Sequence, residues 1–245
     1  MRKSLWIVLT IVLAGSLSAA SAAFGDSVTG GAAFGGTFTV NSGGVFFNAT
    51  GTGTETTQNP IAPGSPNTGS FTGLSGGSIT NITGPPPVGS HPITEFITFN
   101  TSSGAIFFDL QTILPGTGMS TDCISAPGSV CTPVGSPLTL TQETSNVVAL
   151  SFALDGIAYA GTSTSGSSSA NVVFTAQAAN ETITGLLNAF ATTGFTDTYS
   201  ATANATPTAG VPEPGTVSLM FSGLLGLGLL VGVKRYRGNR LATAA

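Results

Sequence analysis

Nucleophilic catalysis of the Ser-His-acid kind needs an imidazole in reach of both a hydroxyl and a carboxylate. The chain of 245 residues holds one histidine, His91, in "VGSHPITE", together with a great many serines. No G-x-S-x-G elbow accompanies it, and a histidine between Ser90 and Pro92 reads as a polar residue at a loop end. Hydrolysis of a glycosidic bond needs two carboxyl groups facing each other across a cleft. Nine acids lie between Phe24 and Ala209: Asp26, Glu55, Glu95, Asp109, Asp122, Glu143, Asp155, Glu181 and Asp197. So many acids form pairs by number alone. The same stretch has no tryptophan and only two tyrosines, Tyr159 and Tyr199, to serve a sugar. The acids therefore read as solubilising surface charge. "LDG" at Leu154 to Gly156 reads as a turn and not as a calcium loop. "TGGAAFGG" lacks the strand–turn–helix context of a nucleotide fingerprint. These residues point to no catalytic site, no metal site and no cofactor.

The two cysteines are more informative. Cys123 and Cys131 stand in "MSTDCISAPGSVCTPVGSP", with Pro127-Gly128 between them as a turn signal. A metal site would need two further soft ligands and a nearby histidine. A short loop closed by a disulfide in an oxidising compartment is the expectation. Asn-x-Ser/Thr occurs at Asn48, Asn81, Asn100, Asn180 and Asn204, a number near chance in a chain this rich in Ser and Thr.

Charge sets firmer limits. Charged residues are 7% of the chain, against about 25% in ordinary soluble domains. All six basic residues lie near the ends: Arg2, Lys3, Lys234, Arg235, Arg237 and Arg240. Between Phe24 and Ala209 there is no lysine and no arginine. This region can form no Lys or Arg ion pair within itself, so apolar burial and hydrogen bonds must hold it. Nucleic acid is excluded as a partner, because phosphate neutralisation needs Lys or Arg. The same absence disfavours nucleotides and sugar phosphates.

The elements that would position these residues follow from the hydropathy pattern. "MRKSLWIVLTIVLAGSLSAASAAFGD" has a basic start, an apolar core from Leu5 to Leu13 and small residues ending in "SAASAA". That order is an export signal over residues 1–23, a signal helix cleaved after Ala22 or after Ala23. The core is short for a spanning helix. From Phe24 to residue 209 the chain reads as β-structure. Phe34, Phe38 and Val40 share one face, as do Ile93, Ile97 and Phe99, then Ile106, Phe108 and Leu110. Val148, Leu150, Phe152 and Leu154 alternate with small or polar residues. "NVVFTAQA" and "TDTYSATANA" add two more strands. "GTGTETTQNPIAPGSPNTG", "TGPPPVGSHP" and "GTSTSGSSS" have loop composition. The pattern predicts an all-β exported domain, an antiparallel, sandwich-like arrangement. One short helix is expected from about Thr182 to Ala191, with Ile183, Leu186, Leu187 and Phe190 on one face and Gly194 as its stop.

Residues 210–245 differ in kind. Val217 to Val233 carry no charge, and at 1.5 Å per residue the run spans about 25 Å, enough for a transmembrane helix over residues 216–233. Its glycines disfavour an exposed soluble helix and suit a membrane. Lys234, Arg235, Arg237 and Arg240 form the basic cytoplasmic tail, residues 234–245. Pro212, Glu213 and Pro214 precede the span and hold the chain extended outside it.

"VPEPGT", a glycine-rich apolar helix and a terminal basic cluster together resemble a PEP-CTERM sorting signal. In that family the tripeptide found here at Pro212, Glu213 and Pro214 is the recognition element for exosortase, a membrane-embedded transpeptidase-like enzyme. The resemblance implies a substrate of signal peptidase and exosortase, made by a Gram-negative-type bacterium that often produces exopolysaccharide. It also implies delivery to the cell envelope or the extracellular matrix, frequently with glycosylation. It covers about the last 35 residues and implies no activity for the β-rich region. The expectation is a non-enzymatic surface or biofilm-matrix protein. An adhesin or carbohydrate-binding module acting on exopolysaccharide is the alternative, and an exported hydrolase comes third.

Overall fold

Alternation of large apolar with small polar residues lets a strand bury one face and solvate the other. The strands of this protein do so in the computed structural model, which describes residues 27–84, 88–161, 164 and 166–208. Twelve strands follow in order: β1 (Gly30–Asn41), β2 (Gly44–Phe46), β3 (Asn59–Pro63), β4 (Gly76–Ile79), β5 (Ile82–Thr83), β6 (Gly89–Thr101), β7 (Gly104–Ile113), β8 (Val130–Cys131), β9 (Thr139–Thr144), β10 (Val147–Ala160), β11 (Ser168–Ala179) and β12 (Phe195–Pro207). A single α-helix, α1 (Ile183–Ala191), lies between the last two. The all-β class, the antiparallel pairing and the one helix agree with the sequence pattern.

Pairing runs β1–β3–β4–β6–β7–β10–β11–β12 and returns from β12 to β1, every step antiparallel. Eight strands thus close into a barrel. β10 makes the closure possible. Its Val147–Ala158 stretch pairs with β11 along one edge. On the other edge Leu154–Ala160 pairs with β7, while Val147–Ser151 pairs with β9. β10 changes partner between Ser151 and Leu154, and its pairing with β7 shifts register between Asp155 and Gly156. The "LDG" segment expected as a turn is therefore the bulge of a strand of 14 residues. Gly156 is required there: a Cβ would run into the Asp109 carbonyl oxygen and the Phe108 ring. β2 and β5 form a side ribbon on β1, and β8 extends the β9 flank.

Six of the strands lie where alternation placed them. β3 falls within "GTGTETTQNPIAPGSPNTG", expected as loop. It contains Pro60 and Pro63 and touches β1 at only two residue pairs, Phe34↔Pro63 and Gly35↔Ala62. Prolines are tolerated in such short, weakly laddered strands.

The barrel interior is filled by aromatic rings. Phe34 meets Phe99 at 5.3 Å between centroids, Phe47 meets Phe174 at 5.3 Å, and Phe152 stacks on Phe174 at 4.6 Å. One end tapers to alanine, with Ala32, Ala170, Ala201, Ala203 and Ala205 all buried, the small-against-large fit that a filled barrel requires. Gly36 faces the interior, and a Cβ there would press on the Tyr199 ring at 3.0–3.2 Å. α1 starts at Thr182, whose Oγ1 accepts from the Gly185 N–H at 3.1 Å. It stops at Gly194, at φ +80°, whose N–H donates to the Ala189 carbonyl at 2.7 Å. Ile183 and Leu186 are buried, with Leu187 and Phe190 partly covered.

Tyr199 is 5% exposed and its hydroxyl has no hydrogen-bond partner. Burial alone raises its pKa above the ordinary 10.0. The folded state therefore holds this proton more tightly than the unfolded chain does. That contribution to stability is complete below pH 10 and is lost as the pH rises further. Tyr199→Phe removes an unsatisfied buried hydroxyl, so urea unfolding at pH 7 should show stability unchanged or raised by about 1 kcal/mol. The variant's decline in stability above pH 10 should also be shallower than that of the parent. Gly156→Ala should lower stability by more than about 2 kcal/mol in the same assay, through collision with β7.

Candidate functional site

His91 sits near the start of β6 rather than in a loop, where its ring is held against the β2–β3 connection. Its Nε2 lies 3.1 Å from Glu55 Oε1, the one ion pair among the described residues. The same oxygen accepts from Thr83 Oγ1 at 3.0 Å and the Thr83 N–H at 3.4 Å. The hydroxyl at this site donates to the carboxylate, not to the imidazole. A triad would need that hydroxyl on the ring. The arrangement clasps three chain segments and does not prepare a nucleophile.

Five of the other carboxylates are met by neutral donors. Asp155 accepts from Asn171 Nδ2 at 2.8 Å, Glu143 from Gln177 Nε2 at 2.8 Å, and Asp197 from the Thr198 N–H at 2.7 Å. Asp122 accepts from Thr121 Oγ1 at 3.3 Å. Asp26 lies outside the described residues. The densest group is on the outer face of β6, β7 and β10. There Asp109 Oδ1 accepts from the Glu95 N–H at 2.7 Å and from Tyr159 Oη at 3.1 Å. Glu95 has φ +51°, in an irregularity of β6 between Ile93 and Ile97. Phe107 lies against Tyr159 at 5.5 Å. Burial, then the charge and hydrogen bond of Asp109, then the charge of Glu95, push the Tyr159 phenol up to about 12. It stays protonated as a donor at neutral pH. This cluster was not read from the sequence, because its members are 14 and 50 positions apart. The alternation of "AIFFDL" and "GIAYA" places Phe107, Asp109 and Tyr159 outward, the one signal that could have found it.

The interior cavity between Phe38, Phe47, Phe152, Phe174 and Tyr199 holds about 10 Å³, the size of one water, and no carboxylate faces it. Tyr159 and Tyr199 are both 5% exposed, so neither offers a ring for stacking on a sugar. No group of three metal-ligating side chains occurs among the described residues.

Cys123 and Cys131 are joined, with Cα atoms 4.9 Å apart. The loop they close is docked on β9 and α1. Ser125 Oγ accepts from the Thr184 N–H at 3.1 Å. The Gly128 N–H donates to the Gln142 carbonyl at 2.7 Å, and the Gln142 N–H donates to Ser129 at 2.9 Å. Gln142 itself is fully buried. Its Oε1 accepts from the Ile183 N–H at 2.9 Å and its Nε2 donates to the Thr144 carbonyl at 2.7 Å. One side chain thus ties the helix start to the β9–β10 turn. Of the Asn-x-Ser/Thr positions, Asn81 is buried: its Oδ1 accepts from Phe47 and Asn59, each at 2.9 Å.

Pro212, Glu213 and Pro214, the basic cluster Lys234, Arg235, Arg237 and Arg240, the signal helix and the 216–233 span all lie outside the described residues. Among the described residues no helix is long and apolar enough to cross a membrane. The chain matches no family model, no curated protein and no solved structure.

Replacing Cys123 and Cys131 together by serine releases a short loop, with an expected loss of about 2–3 kcal/mol of stability. A lower urea midpoint with unchanged slope would show it.

Proposed function

We propose that this chain is a non-enzymatic exported protein, delivered by its C-terminal signal to the cell envelope or extracellular matrix. Signal peptidase removes the export signal, cutting after Ala22 or after Ala23. The 216–233 helix then holds the precursor in the membrane, with Lys234, Arg235, Arg237 and Arg240 on the cytoplasmic side, until exosortase acts at Pro212, Glu213 and Pro214. The observation that carries this reading is the order in the sequence: Pro-Glu-Pro, then an uncharged run, then four basic residues. The disulfide between Cys123 and Cys131 supports it, since such bonds persist in oxidising compartments. So does a domain in which most carboxylates accept from neutral donors, with none of them lining the interior cavity.

The same reading takes the eight-strand ring as flattened, with its two halves packed as a sandwich. Phe34 of β1 reaches Phe99 of β6 at 5.3 Å, past the intervening β3 and β4, which supports that shape.

Pro212→Ala combined with Glu213→Ala should leave the protein membrane-retained with its basic tail intact. Intact mass of the protein recovered from cells reports both ends of the chain at once. Release of the double variant with the same C-terminal mass as the parent would refute the assignment.

A further inference from the structure

Charge is spread unevenly along the barrel. Gly30 pairs with Ala205 and Ser168 with Pro207, so the first strand begins and the last one ends at the same rim. Connections are fastened together there. Ser102 Oγ donates to the Thr72 carbonyl at 3.3 Å, the Ser70 N–H to the Thr29 carbonyl at 2.8 Å, and Thr208 Oγ1 to the Ser167 carbonyl at 3.2 Å. The segments that build this rim, 64–78, 98–106, 158–170 and 201–208, contain no acid and no base. The eight described acids stand away from it. Glu55, Asp122, Glu143 and Glu181 lie in or beside connections at the opposite end, and Asp197 lies near the start of β12. Glu95, Asp109 and Asp155 lie inside β6, β7 and β10. Asp109 and Asp155 are each five residues in from the rim ends of their strands, Gly104 and Ala160. In tilted strands that places them on the order of 13 Å below the rim. No cation in the domain balances them, so one end of the barrel is neutral and the rest is negative.

We propose that in the anchored precursor the neutral rim faces an anionic lipid surface, with the acids turned away from it. This rests on the reading of residues 216–233 as a membrane helix. Chain length brings rim and lipid together. Residue 216 follows Thr208 by eight positions, a reach of at most about 29 Å for a fully extended chain, and Thr208 is itself fastened to the rim. Charge then sets the posture. A domain lying on its side would bring Glu95, Asp109 or Asp155 against anionic headgroups, and one standing on its other end would bring Glu55, Asp122, Glu143 and Glu181 there. Each such approach is repulsive within a Debye length of about 8 Å. Standing on the rim keeps every described acid beyond that range. Asp26, just before the described residues, is offset by the α-amino group that signal cleavage leaves close to it. The rim's hydroxyl groups can donate to headgroup phosphates without any opposing charge. Such bonds are individually weak, and the short tether raises their occupancy through effective concentration. A second copy of the chain has no tether holding it at the rim.

Both cysteines of the chain are held in the disulfide, so one introduced thiol takes a fluorescent donor alone. Ser103→Cys lies in the β6–β7 turn at the rim and Ser145→Cys in the β9–β10 turn at the opposite end, both exposed. With β10 at 14 residues, the two labels stand on the order of 35 Å apart in height. Each full-length variant is reconstituted into phosphatidylcholine vesicles containing phosphatidylglycerol, with an energy acceptor on the headgroups. Transfer from Ser103→Cys should exceed that from Ser145→Cys at least about 3-fold. A tether alone would favour the rim whatever its charge, so a charge change there is decisive. Adding Thr164→Glu and Thr206→Glu, both at exposed positions, should lower transfer from Ser103→Cys at least about 2-fold. On phosphatidylcholine alone the same pair should have no effect, and added salt should reverse the loss. Lysine at the same two positions should raise transfer. Because both sites are exposed, thermal midpoints should not change. Equal transfer from the two labelled positions would overturn the proposal, as would a glutamate pair without effect. Rim transfer that varies with the protein-to-lipid ratio would assign the rim to a second copy and overturn it too. Protein that fails to float with the vesicles would remove the membrane-helix reading and this proposal with it. Protein that floats but transfers equally from both ends removes this proposal alone.

Discussion

No carboxylate of this domain has a lysine or arginine within the domain to pair with. An ion pair brings one cationic group to one acid, and its net effect at the surface is small. Here the work passes to amides and hydroxyls, which are short and must lie close to their acceptors. Asn171 reaches Asp155 from the facing strand, Gln177 reaches Glu143 across the β10 flank, and Tyr159 reaches Asp109 from the neighbouring strand. Each of these bonds requires a particular register. The same holds inside, where Asn48, Asn59 and Asn81 link into one chain of amides: Asn48 Nδ2 donates to Asn59 Oδ1 at 3.2 Å, and Asn59 Nδ2 to Asn81 Oδ1 at 2.9 Å. Networks of this kind favour a single arrangement, since a one-residue slip would leave several buried polar groups unpaired.

Such a network explains which parts of the fold could be read in the sequence. The long strands were legible because each buries a full row of Val, Leu, Ile or Phe, and alternation is a property of neighbours in sequence. α1 was legible for the same reason, with Thr182 and Gly194 marking its ends. The short strands β2, β3, β4, β5, β8 and β9 were not. They contain two to six residues, too few for a period to show. The Asp155–Gly156 bulge looked like a turn because Asp-Gly is turn chemistry. Its glycine answers instead to Asp109, nearly fifty positions earlier. Closure of the ring is likewise a long-range fact, since it depends on β12 returning to β1.

Candidate chemistry was less legible still. His91 was visible as the single histidine, but its partner Glu55 lies 36 positions away, and nothing local marks the pair. Glu95, Asp109 and Tyr159 come from three strands. Gln142 is one of several polar residues in the short strand β9, and its role appears only when α1 and the disulfide loop are placed on it. The cysteines were the exception, because a covalent bond over eight positions leaves a short-range mark.

Ring closure and the missing cations are two sides of one physical problem. An open sheet exposes a row of unpaired N–H and C=O groups that recruits other strands, and natural edge strands are commonly blunted with lysine or other charges. This domain has no lysine to place there. Pairing β12 with β1 over eleven residue pairs removes the main edge altogether. What remains is covered or short: β8 is two residues long and is bonded through Cys131 to the loop above it. A domain built so can be low in charge and rich in Thr and Ser without offering its backbone to its neighbours. Contacts between copies, or with anything else, are thereby moved from strand edges to side chains on loops. The loop that displays the most apolar surface is also the one the chain has locked with its only disulfide.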